Sequence, residues 1–546
     1  MKKLISALLL VSLIMVFSVS AFAGNEPARA SARTDSIVVG TTDMNGIWST
    51  LYANSMFDNY ACELMFDSFI SSTPDGKPVS QACNYSVSLS GKTYTFTLKD
   101  NVKFWDGKAA TADDLAFVFY ILADPSFDGV ADLSPCNIVG YDAYKNDKTG
   151  AVKTISGIKV INKKSISITL SKPFAPALWY LNLPVMKKSY YGAGFKKGNT
   201  GSVKKLLAKP MGTGQYKFVS YDPTKGLQMS ANKSYFLGAP KISKVQFVVV
   251  PQGKELDSVI SGDVDVENAT CSAENVNKAK ESGYITPVNF PTNGYGVIHW
   301  NTNDPLLSDE KVRQALAYGL DRETVVNKVY GQYGKVNNVP VPMGSWGYTT
   351  AGITDYKFST IKARQLLDQA GWKIDPNTNK LMKNGKQFVI NFTVTPGNSV
   401  TDVMLPVMKD NYAKLGIDVN IESADFATML KALEEGKIQA CFMGAALTTP
   451  DPDQYTSFYS TSTQNYFKYK NSTLDKLLNQ ELTQTNVKER TATFGEINKL
   501  LNKELPVFPV YQRNDLWIIN SRITNVPKLG AYRDLFLDFY KYTIKK

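Results

Sequence analysis

Few residues of this 546-residue chain have the types and spacing that catalysis or metal binding requires. The chain has a single histidine, His299, which lies in the apolar, strand-like run at residues 295–300. One histidine excludes H-E-x-x-H and every other site built from several histidines. Its apolar surroundings favour a structural role over a catalytic one. A nucleophile elbow of the G-x-S-x-G type is absent, because the Gly-Ser-Trp-Gly run at residues 344–347 lacks the leading glycine.

Glycine-rich segments that could hold a phosphate are also incomplete. The Gly-Lys-Thr run at residues 91–93 has a serine at position 86, where a phosphate-binding loop has glycine, and a strand-like pattern follows it. Acidic residues are scattered, and no pair stands out as the acid and base of a hydrolase. These motifs favour a binding protein without cofactor or metal over an enzyme. A secreted hydrolase that uses a carboxylate pair or His299 stays as a remote alternative.

The cysteines give no sign of a zinc site. Their number is odd, their spacings are wide and no C-x-x-C pair occurs; they are Cys62, Cys83, Cys136, Cys271 and Cys441. The pattern is compatible with one disulfide among Cys62, Cys83 and Cys136. It is equally compatible with buried free thiols.

The first 23 residues have the pattern of a cleavable secretory signal. Lys2 and Lys3 form a positively charged N-terminal region, and residues 4–19 are almost uncharged and apolar. The Ala-Phe-Ala run at residues 21–23 then precedes Gly24. The apolar run is short for a membrane span, which favours cleavage over a retained anchor. No cysteine follows the cleavage site, so no lipid anchor is expected. We therefore expect an exported protein that works in the periplasm or elsewhere outside the cytoplasm.

Composition is typical of a packed protein of two or three domains. Hydrophobic residues make up 43% and aromatic residues 12% of the chain, and the formal net charge is +12. A basic protein could bind nucleic acid, but the lysines are spread along the chain and the expected location is outside the cytoplasm. Nucleic acid is therefore not expected as a partner.

Periodicity predicts several elements. Tyr94, Phe96 and Leu98 alternate with polar residues, which predicts a strand, followed by a turn at residues 99–101, a second strand and a helix capped by Thr111. Between residues 401 and 443 two helix patterns alternate with two strand patterns, which is typical of an α/β domain. No internal repeat occurs.

Six blocks of the sequence, in order, resemble family 5 solute-binding proteins, the extracytoplasmic receptors of peptide-type ABC importers. They span nearly the whole chain after the signal. The blocks are residues 94–115, residues 212–218 (Gly-Thr-Gly-Gln-Tyr-Lys-Phe) with 232–242, residues 301–322, residues 342–348 (Pro-Met-Gly-Ser-Trp-Gly-Tyr), residues 363–372 and residues 450–455 (Pro-Asp-Pro-Asp-Gln-Tyr).

The resemblance implies an α/β fold of the two-lobed periplasmic-binding-protein type, with a hinge and an extra domain inserted in the first lobe. The implied divisions are a signal peptide at 1–23, first-lobe segments at 24–74, 211–289 and 511–546, an inserted domain at 75–210 and a second lobe at 290–510. The chain would cross between lobes near residues 289–291 and 511–513. Closure on a ligand would be a hinge motion driven by contacts made in the closed form.

The chain departs from the family pattern at the charged anchors for short peptides. Thr448 stands where members that bind short peptides have an aspartate for the ligand amine, and the loop at residues 393–398 lacks the arginine that dipeptide receptors use for the carboxylate. The loop ends of both lobes supply the candidate ligand-binding residues: Met44, Asn45, Trp48, Tyr295, Trp346, Thr395, Ala446, Thr448, Thr449 and Asp451.

The resemblance and these departures together indicate a receptor, expected to be monomeric, that captures oligopeptides and delivers them to the permease subunits of an ABC transporter. A pocket of hydroxyl groups and small side chains also suits an oligosaccharide stacked on Trp48 or Trp346, which stays as the alternative ligand. Nickel and haem carriers also occur among such proteins, but the single histidine gives no support to a metal site.

Overall fold

A computed structural model describes residues 26–42, 44–447 and 449–545. The predicted signal peptide and the candidate residue Thr448 lie outside the described residues. The strands of the described chain are β1 (Ser36–Thr41), β2 (Ile70–Ser72), β3 (Pro78–Ser80), β4 (Cys83–Val87), β5 (Thr93–Leu98), β6 (Ile158–Asn162), β7 (Ser165–Thr169), β8 (Tyr216–Asp222), β9 (Gly226–Ala231), β10 (Lys244–Val249), β11 (Val266–Ala269), β12 (Ile285–Pro291), β13 (Gly294–Trp300), β14 (Gly334–Lys335), β15 (Lys373–Ile374), β16 (Leu381–Lys383), β17 (Lys386–Gln387), β18 (Val389–Val394), β19 (Asp418–Ser423), β20 (Ala440–Ala446), β21 (Val507–Asn520), β22 (Ile523–Thr524) and β23 (Thr543–Ile544).

The helices range from single turns to five turns. They are α1 (Ala28–Ser31), α2 (Met56–Met65), α3 (Ala112–Leu122), α4 (Tyr141–Asn146), α5 (Ala177–Tyr180), α6 (Lys188–Tyr191), α7 (Gly201–Lys204), α8 (Glu255–Ile260), α9 (Ala273–Glu281), α10 (Glu310–Tyr318), α11 (Arg322–Val329), α12 (Thr360–Gln369), α13 (Ser399–Ala413), α14 (Phe426–Glu434), α15 (Tyr455–Phe458), α16 (Ser472–Thr483) and α17 (Val487–Glu504). Among the described residues, none of these helices has the length and apolar character needed to cross a membrane.

One large mixed sheet organises the chain. Its strand order is β19-β18-β20-β13-β21-β11-β1-β10-β9-β8, and β12 and β14 also pair with β21. Strand β1 runs parallel to β10 and β11, and β18 runs parallel to β19 and β20. The remaining pairs along this order are antiparallel. The mixed sheet with flanking helices confirms the predicted α/β class.

Strand β21 belongs to both halves of this sheet. Its first part pairs with β13, where Tyr511 lies opposite Gly296, and its second part pairs with β12, where Asn514 lies opposite Pro291. The short link from β12 to β13 runs beside the point where β21 changes partner. The chain therefore passes between the two halves of the sheet at two adjacent places. We call the half with strands β1 and β8–β12 the first lobe and the half with strands β13 and β18–β20 the second lobe. The domain boundaries stay predictions.

A separate four-stranded antiparallel sheet, β4-β5-β7-β6, packs with α3 on its own apolar core between residues 51 and 207. The cores of the two lobes contain different side chains: Ile37, Phe247, Trp517 and Phe536 in the first lobe, and Trp300, Phe388, Tyr412 and Phe508 in the second. Segment 51–207 thus has the independent core that an inserted domain requires.

The predicted strand–turn–strand–helix segment is correct except for its second strand. Strand β5 pairs with β4 and β7, and Asn101 turns the chain with a φ of 66°. After the turn only an isolated bridge joins Lys103 and Ala109, because Trp105 donates its backbone N–H to Gly212 instead of joining a ladder. The helix cap is confirmed, since the Asp114 carboxylate accepts hydrogen bonds from the backbone N–H and hydroxyl of Thr111, both at 2.8 Å.

The histidine and the cysteines have structural positions. His299 stacks on Phe467 with ring centroids 4.7 Å apart, and burial lowers the pKa of the imidazole to about 3. All five cysteines are buried free thiols. The alternative of buried thiols is therefore the one that the structure supports.

Candidate functional site

The candidate site lies at one edge of the second-lobe sheet. Because β18, β19 and β20 are parallel, their C-terminal ends meet at the same edge, and β13 starts there with Gly294 opposite Ala446. Ligands of open α/β sheets bind at the carboxyl ends of the strands. The residues that follow these strands therefore face the place where the chain crosses from the first lobe.

The larger cavity of this region, which we call the interlobe cavity, has a volume of about 420 Å³. Its lining is mostly polar and includes Glu63, Asp67 and Asp534. Trp179 comes from segment 51–207, and Thr449 comes from the second lobe. The cavity is thus a polar space shared by both lobes.

A second cavity, which we call the side cavity, has a volume of about 210 Å³ and lies on the other side of Thr449. It brings together four of the candidate residues predicted from the sequence: Tyr295, Ala446, Thr449 and Asp451. The Tyr295 hydroxyl donates to the carbonyl of Pro340 at 2.7 Å, which fixes the ring as a wall of the cavity. Their contact with a ligand stays a prediction.

Met44 and Trp48 lie in the first-lobe core and line neither cavity, and their role in ligand binding stays a prediction. Trp48 is 1% exposed and packs edge-on against Tyr221, with ring centroids 5.1 Å apart. The loop turns inward because the Asp58 carboxylate accepts the backbone N–H groups of residues 45–47 at 3.0–3.3 Å. Of the three predicted residues in this loop, Asn45 alone is exposed.

Trp346 and Thr395 line neither cavity. The Trp346 ring is half-buried and packs edge-on against Phe494 at 5.4 Å, and the Arg490 guanidinium lies 5.4 Å from its centroid. Thr395 follows β18, and its hydroxyl lies 3.9 Å from the sulfur of Met429. Both residues stay close to the candidate site without reaching its cavities in this conformation.

The Asp451 carboxylate is hydrogen-bonded within the protein, and its predicted role as a ligand contact stays a prediction. The Arg490 guanidinium donates to both of its oxygens, at 2.5 and 2.8 Å, and also donates to Glu481 Oε2 at 2.6 and 2.9 Å. Burial, with the negative charge of Asp453 beside it, raises the pKa of Glu481 to about 10. Glu481 therefore keeps its proton at neutral pH, and the cluster anchors the loop that carries Thr449.

Sequence reasoning missed the carboxyl groups of the interlobe cavity. Glu63 lies on α2 and Asp534 in the C-terminal tail, and both residues line this cavity. Burial raises the pKa of both groups. The one available signal is that Glu63 interrupts the apolar run Ala-Cys-Glu-Leu-Met at residues 61–65. The described residues contain no cluster of three or more side chains suited to a metal ion.

The two-lobed architecture with cavities at the lobe junction is that of a ligand-binding receptor. The chain belongs to the bacterial extracellular solute-binding proteins of family 5, whose middle-region sequence profile matches residues 80–467. This match confirms the resemblance found in the sequence. It also places the protein among extracytoplasmic solute-binding proteins rather than in an enzyme family.

Two curated relatives are similar in sequence over most of the chain, and a solved structure is similar in fold. The oligopeptide-binding protein AppA of Bacillus subtilis is 26% identical, and the match covers 98% of both chains. The heme-binding protein A of Haemophilus influenzae is also 26% identical, over 78% of this chain and 77% of its own. The structure of Bacillus subtilis AppA in complex with a nonapeptide is similar with a TM-score of 0.74 and 22% identity, over 94% of this chain and 99% of that one.

Proposed function

We propose that the protein captures oligopeptides outside the cytoplasm and delivers them to the permease subunits of an ABC importer. The observation that carries this proposal is the end-to-end similarity to an oligopeptide-binding protein, at 98% coverage of both chains. The polar interlobe cavity supports it, because a peptide backbone needs hydrogen-bonding groups on both sides when it is enclosed. Export by a cleaved signal, a monomeric state and the absence of catalytic activity belong to the same proposal.

The alternative ligands have less support. Stacking of a sugar on Trp48 or Trp346 was the basis of the oligosaccharide hypothesis, and neither ring lines the two cavities described above. A haem or nickel ligand would need an accessible metal-binding side chain, whereas His299 is buried against Phe467. Trp179 does line the interlobe cavity, and its ring suits the apolar side chain of a peptide.

Mass spectrometry of ligands that co-purify with the exported protein tests the proposal. We expect peptides of mixed sequence, and we expect a pool of synthetic peptides to raise the melting temperature of the stripped protein. Release of only oligosaccharide or haem, together with no thermal shift from any peptide, would refute it. Sequencing of the exported protein is expected to start at Gly24, and size-exclusion chromatography is expected to give a monomer.

A matched pair of variants places the binding site. Ala446→Trp inserts a large ring at the exposed cleft edge beside the side cavity, so we expect it to weaken peptide capture. Ala151→Trp makes the same change at an exposed loop of segment 51–207, away from both cavities, and is expected to leave capture unchanged. Equal effects of the two variants would show that the cleft edge is not the entrance.

A further inference from the structure

The excess of positive charge is concentrated in one part of the chain. Residues 75–210 contain 19 lysines and 10 aspartates, with no arginine and no glutamate, which leaves 42 of the 61 basic and 39 of the 49 acidic residues for the rest of the chain. Between Asp147 and Asp222 the chain has 14 lysines and no acidic residue. Such a charge asymmetry within one chain indicates an anionic partner for the basic part.

The aspartates of this part of the chain are already neutralised by its own lysines. Seven of the ten aspartates each form a salt bridge with a different lysine of residues 75–210. Of the others, Asp114 and Asp124 accept hydrogen bonds from backbone N–H groups, and Asp142 is exposed on α4. Within residues 75–210, all of which the structure describes, twelve lysines therefore form no salt bridge, and their charge is available to a partner.

The turn from β6 to β7 places lysines beside exposed aliphatic side chains. Residues 159–164, with the sequence Lys-Val-Ile-Asn-Lys-Lys, are all exposed, and we call them the basic hairpin. Strand β6 is an edge strand of the four-stranded sheet, so one side of it has no neighbouring strand. Val160 is 49% exposed and Ile161 is 57% exposed. The basic hairpin thus combines positive charge with apolar surface that the protein does not cover.

The basic hairpin is held firmly against the rest of its domain. The carbonyls of Lys163 and Lys164 accept the backbone N–H groups of Ala112 and Leu98, each at 2.9 Å. Val160 also lines a groove of about 350 Å³ beside α3. The lysines and the two aliphatic side chains are therefore presented by a fixed strand edge.

The exposure of the side chains favours a lipid surface over a nucleic acid as the partner. Single-stranded nucleic acids stack their bases on exposed rings, but the rings of Phe117 and Tyr144 in the groove are 5% and 4% exposed. Exposed aliphatic side chains such as Val160 and Ile161 instead gain free energy when they insert at the boundary between lipid headgroups and acyl chains. Residues 75–210 also lack arginine, the residue that recognises bases and phosphates through paired hydrogen bonds.

We infer that the basic hairpin docks on the surface of a membrane that contains anionic lipids. Val160 and Ile161 insert between the headgroups, and the lysines of the hairpin lie beside the lipid phosphates. Each lysine close to an anionic lipid surface strengthens binding about fivefold. The inference goes beyond the proposed function and does not depend on which ligand the cavities hold. Docking would keep the receptor close to the membrane without a lipid anchor.

Sedimentation with lipid vesicles tests the inference. The protein purified after export is mixed with vesicles of phosphatidylcholine alone or of phosphatidylcholine with about 30% phosphatidylglycerol, and the bound fraction is measured. We expect binding to the anionic vesicles and none to the neutral ones. Because salt screens exposed charges, we expect the affinity to fall at least about tenfold between about 20 and about 150 mM ionic strength.

Two variants of the basic hairpin separate its charge from its apolar surface. The triple variant Lys159→Gln, Lys163→Gln, Lys164→Gln is expected to bind anionic vesicles up to about 100-fold more weakly, from about fivefold for each lysine. The double variant Val160→Ser, Ile161→Ser is expected to bind about tenfold more weakly and to keep the salt dependence. All five side chains are exposed, so both variants are expected to melt close to the wild type.

A matched control removes the same charge from the other end of the molecule. Lys328→Gln, Lys386→Gln and Lys409→Gln together change three exposed lysines of the second lobe. This control has the same net charge as the triple variant of the hairpin, and we expect it to bind anionic vesicles as the wild type does. A difference between the two therefore reports the position of the lysines.

Several results would overturn the inference. They are an absence of binding to anionic vesicles at the lower salt concentration, equal binding to both kinds of vesicle, and equal losses in the triple variant and its control. Tighter binding of a single-stranded oligonucleotide than of anionic vesicles would also overturn it, in favour of a nucleic acid partner. Peptide capture is expected to be unchanged in the hairpin variants, so failure of the membrane surface and failure of the proposed function are separate results.

Discussion

Replacement of Arg490 by methionine is expected to destabilise the second lobe strongly. The guanidinium is about 5% exposed and bridges the Asp451 and Glu481 carboxyl groups. Methionine keeps much of the length and apolar volume but leaves Asp451 buried without a counter-ion. Removal of one partner of a buried ion pair costs about 3–5 kcal/mol. The contacts of the guanidinium with the rings of Trp346 and Phe494 add about 1 kcal/mol to this loss.

Two further substitutions in the cluster are expected to rank below Arg490→Met. Asp451→Asn removes the charge of one acceptor, and Glu481 then ionises to replace it, so we expect a loss of about 1–3 kcal/mol. Glu481→Gln is expected to cost less than about 1 kcal/mol at about pH 4, where the folded and unfolded wild type both hold the proton, and the variant is expected to be more stable than the wild type at neutral pH. Glutamine reproduces the protonated acid, because its carbonyl accepts from Arg490 and its amide donates to Asp453.

The pH dependence of Glu481→Gln tests the assigned proton. The folded protein holds this proton up to a pKa of about 10, whereas the unfolded chain releases it near 4.5. Wild-type stability therefore falls as the pH rises above about 4.5, by at most about 1.4 kcal/mol per pH unit from this group. The glutamine variant lacks this slope, so its stability relative to the wild type is expected to grow between about pH 5 and pH 9.

Urea unfolding followed by tryptophan fluorescence measures all three variants, since Trp346 lies against the cluster. If Glu481→Gln costs as much as Arg490→Met at neutral pH, Glu481 is ionised in the folded protein and the assigned proton is wrong. If Arg490→Met costs less than about 1 kcal/mol, the cluster does not hold the loop that carries Thr449. A measured order of Arg490→Met, Asp451→Asn, Glu481→Gln would agree with the structure.

Three other substitutions test buried groups away from the cavities. Glu267→Gln replaces a buried acid, and burial raises the pKa of this acid from 4.5 to about 8. As the pH rises between these values, the unfolding free energy of the wild type, measured by urea unfolding, is expected to fall by up to about 4–5 kcal/mol relative to the variant. His299→Phe removes an imidazole, and burial lowers the pKa of this imidazole from 6.5 to about 3. Wild-type stability is expected to fall relative to the variant as the pH drops through this range, and parallel pH profiles of stability would contradict the burial of a neutral imidazole. Trp48→Ala is expected to cost about 3–5 kcal/mol in unfolding free energy, while folded protein at low temperature still captures peptides; loss of capture in the folded variant would instead return Trp48 to the site.

The sequence predicts local elements well where the determining residues are neighbours. The predicted cap of α3 forms because the Asp114 carboxylate accepts from the Thr111 backbone N–H at 2.8 Å, and the predicted turn after β5 forms at Asn101 with a φ of 66°. The second strand after β5 fails, because a contact with Gly212, more than a hundred residues away, competes with the local pairing. Local patterns carry no information about such a competitor.

The candidate site is predicted in part, for the same reason. Thr449 and Ala446 are found because they follow a recognisable strand, and strand ends share an edge of the sheet. The contact of Asp451 with Arg490 is not predicted, because Arg490 lies 39 positions further along the chain. Glu63 and Asp534 bring the second helix and the C-terminal tail to the same cavity, a proximity that spacing in the sequence does not reveal.

Buried acids of this protein differ in their partners more than in their burial, and this difference separates structural acids from functional ones. Asp451 is buried but paired with Arg490, and Asp67 is buried but held by three donors, so both carboxylates have partners within the protein. Glu267 has an unpartnered oxygen, yet it lies in the core between strands and lines neither cavity. Glu63 and Asp534 line the interlobe cavity, and burial raises the pKa of both carboxyl groups. A carboxylate that lobe closure buries without a partner costs free energy, so the free energy of closure is expected to depend on the groups that the ligand places beside these acids.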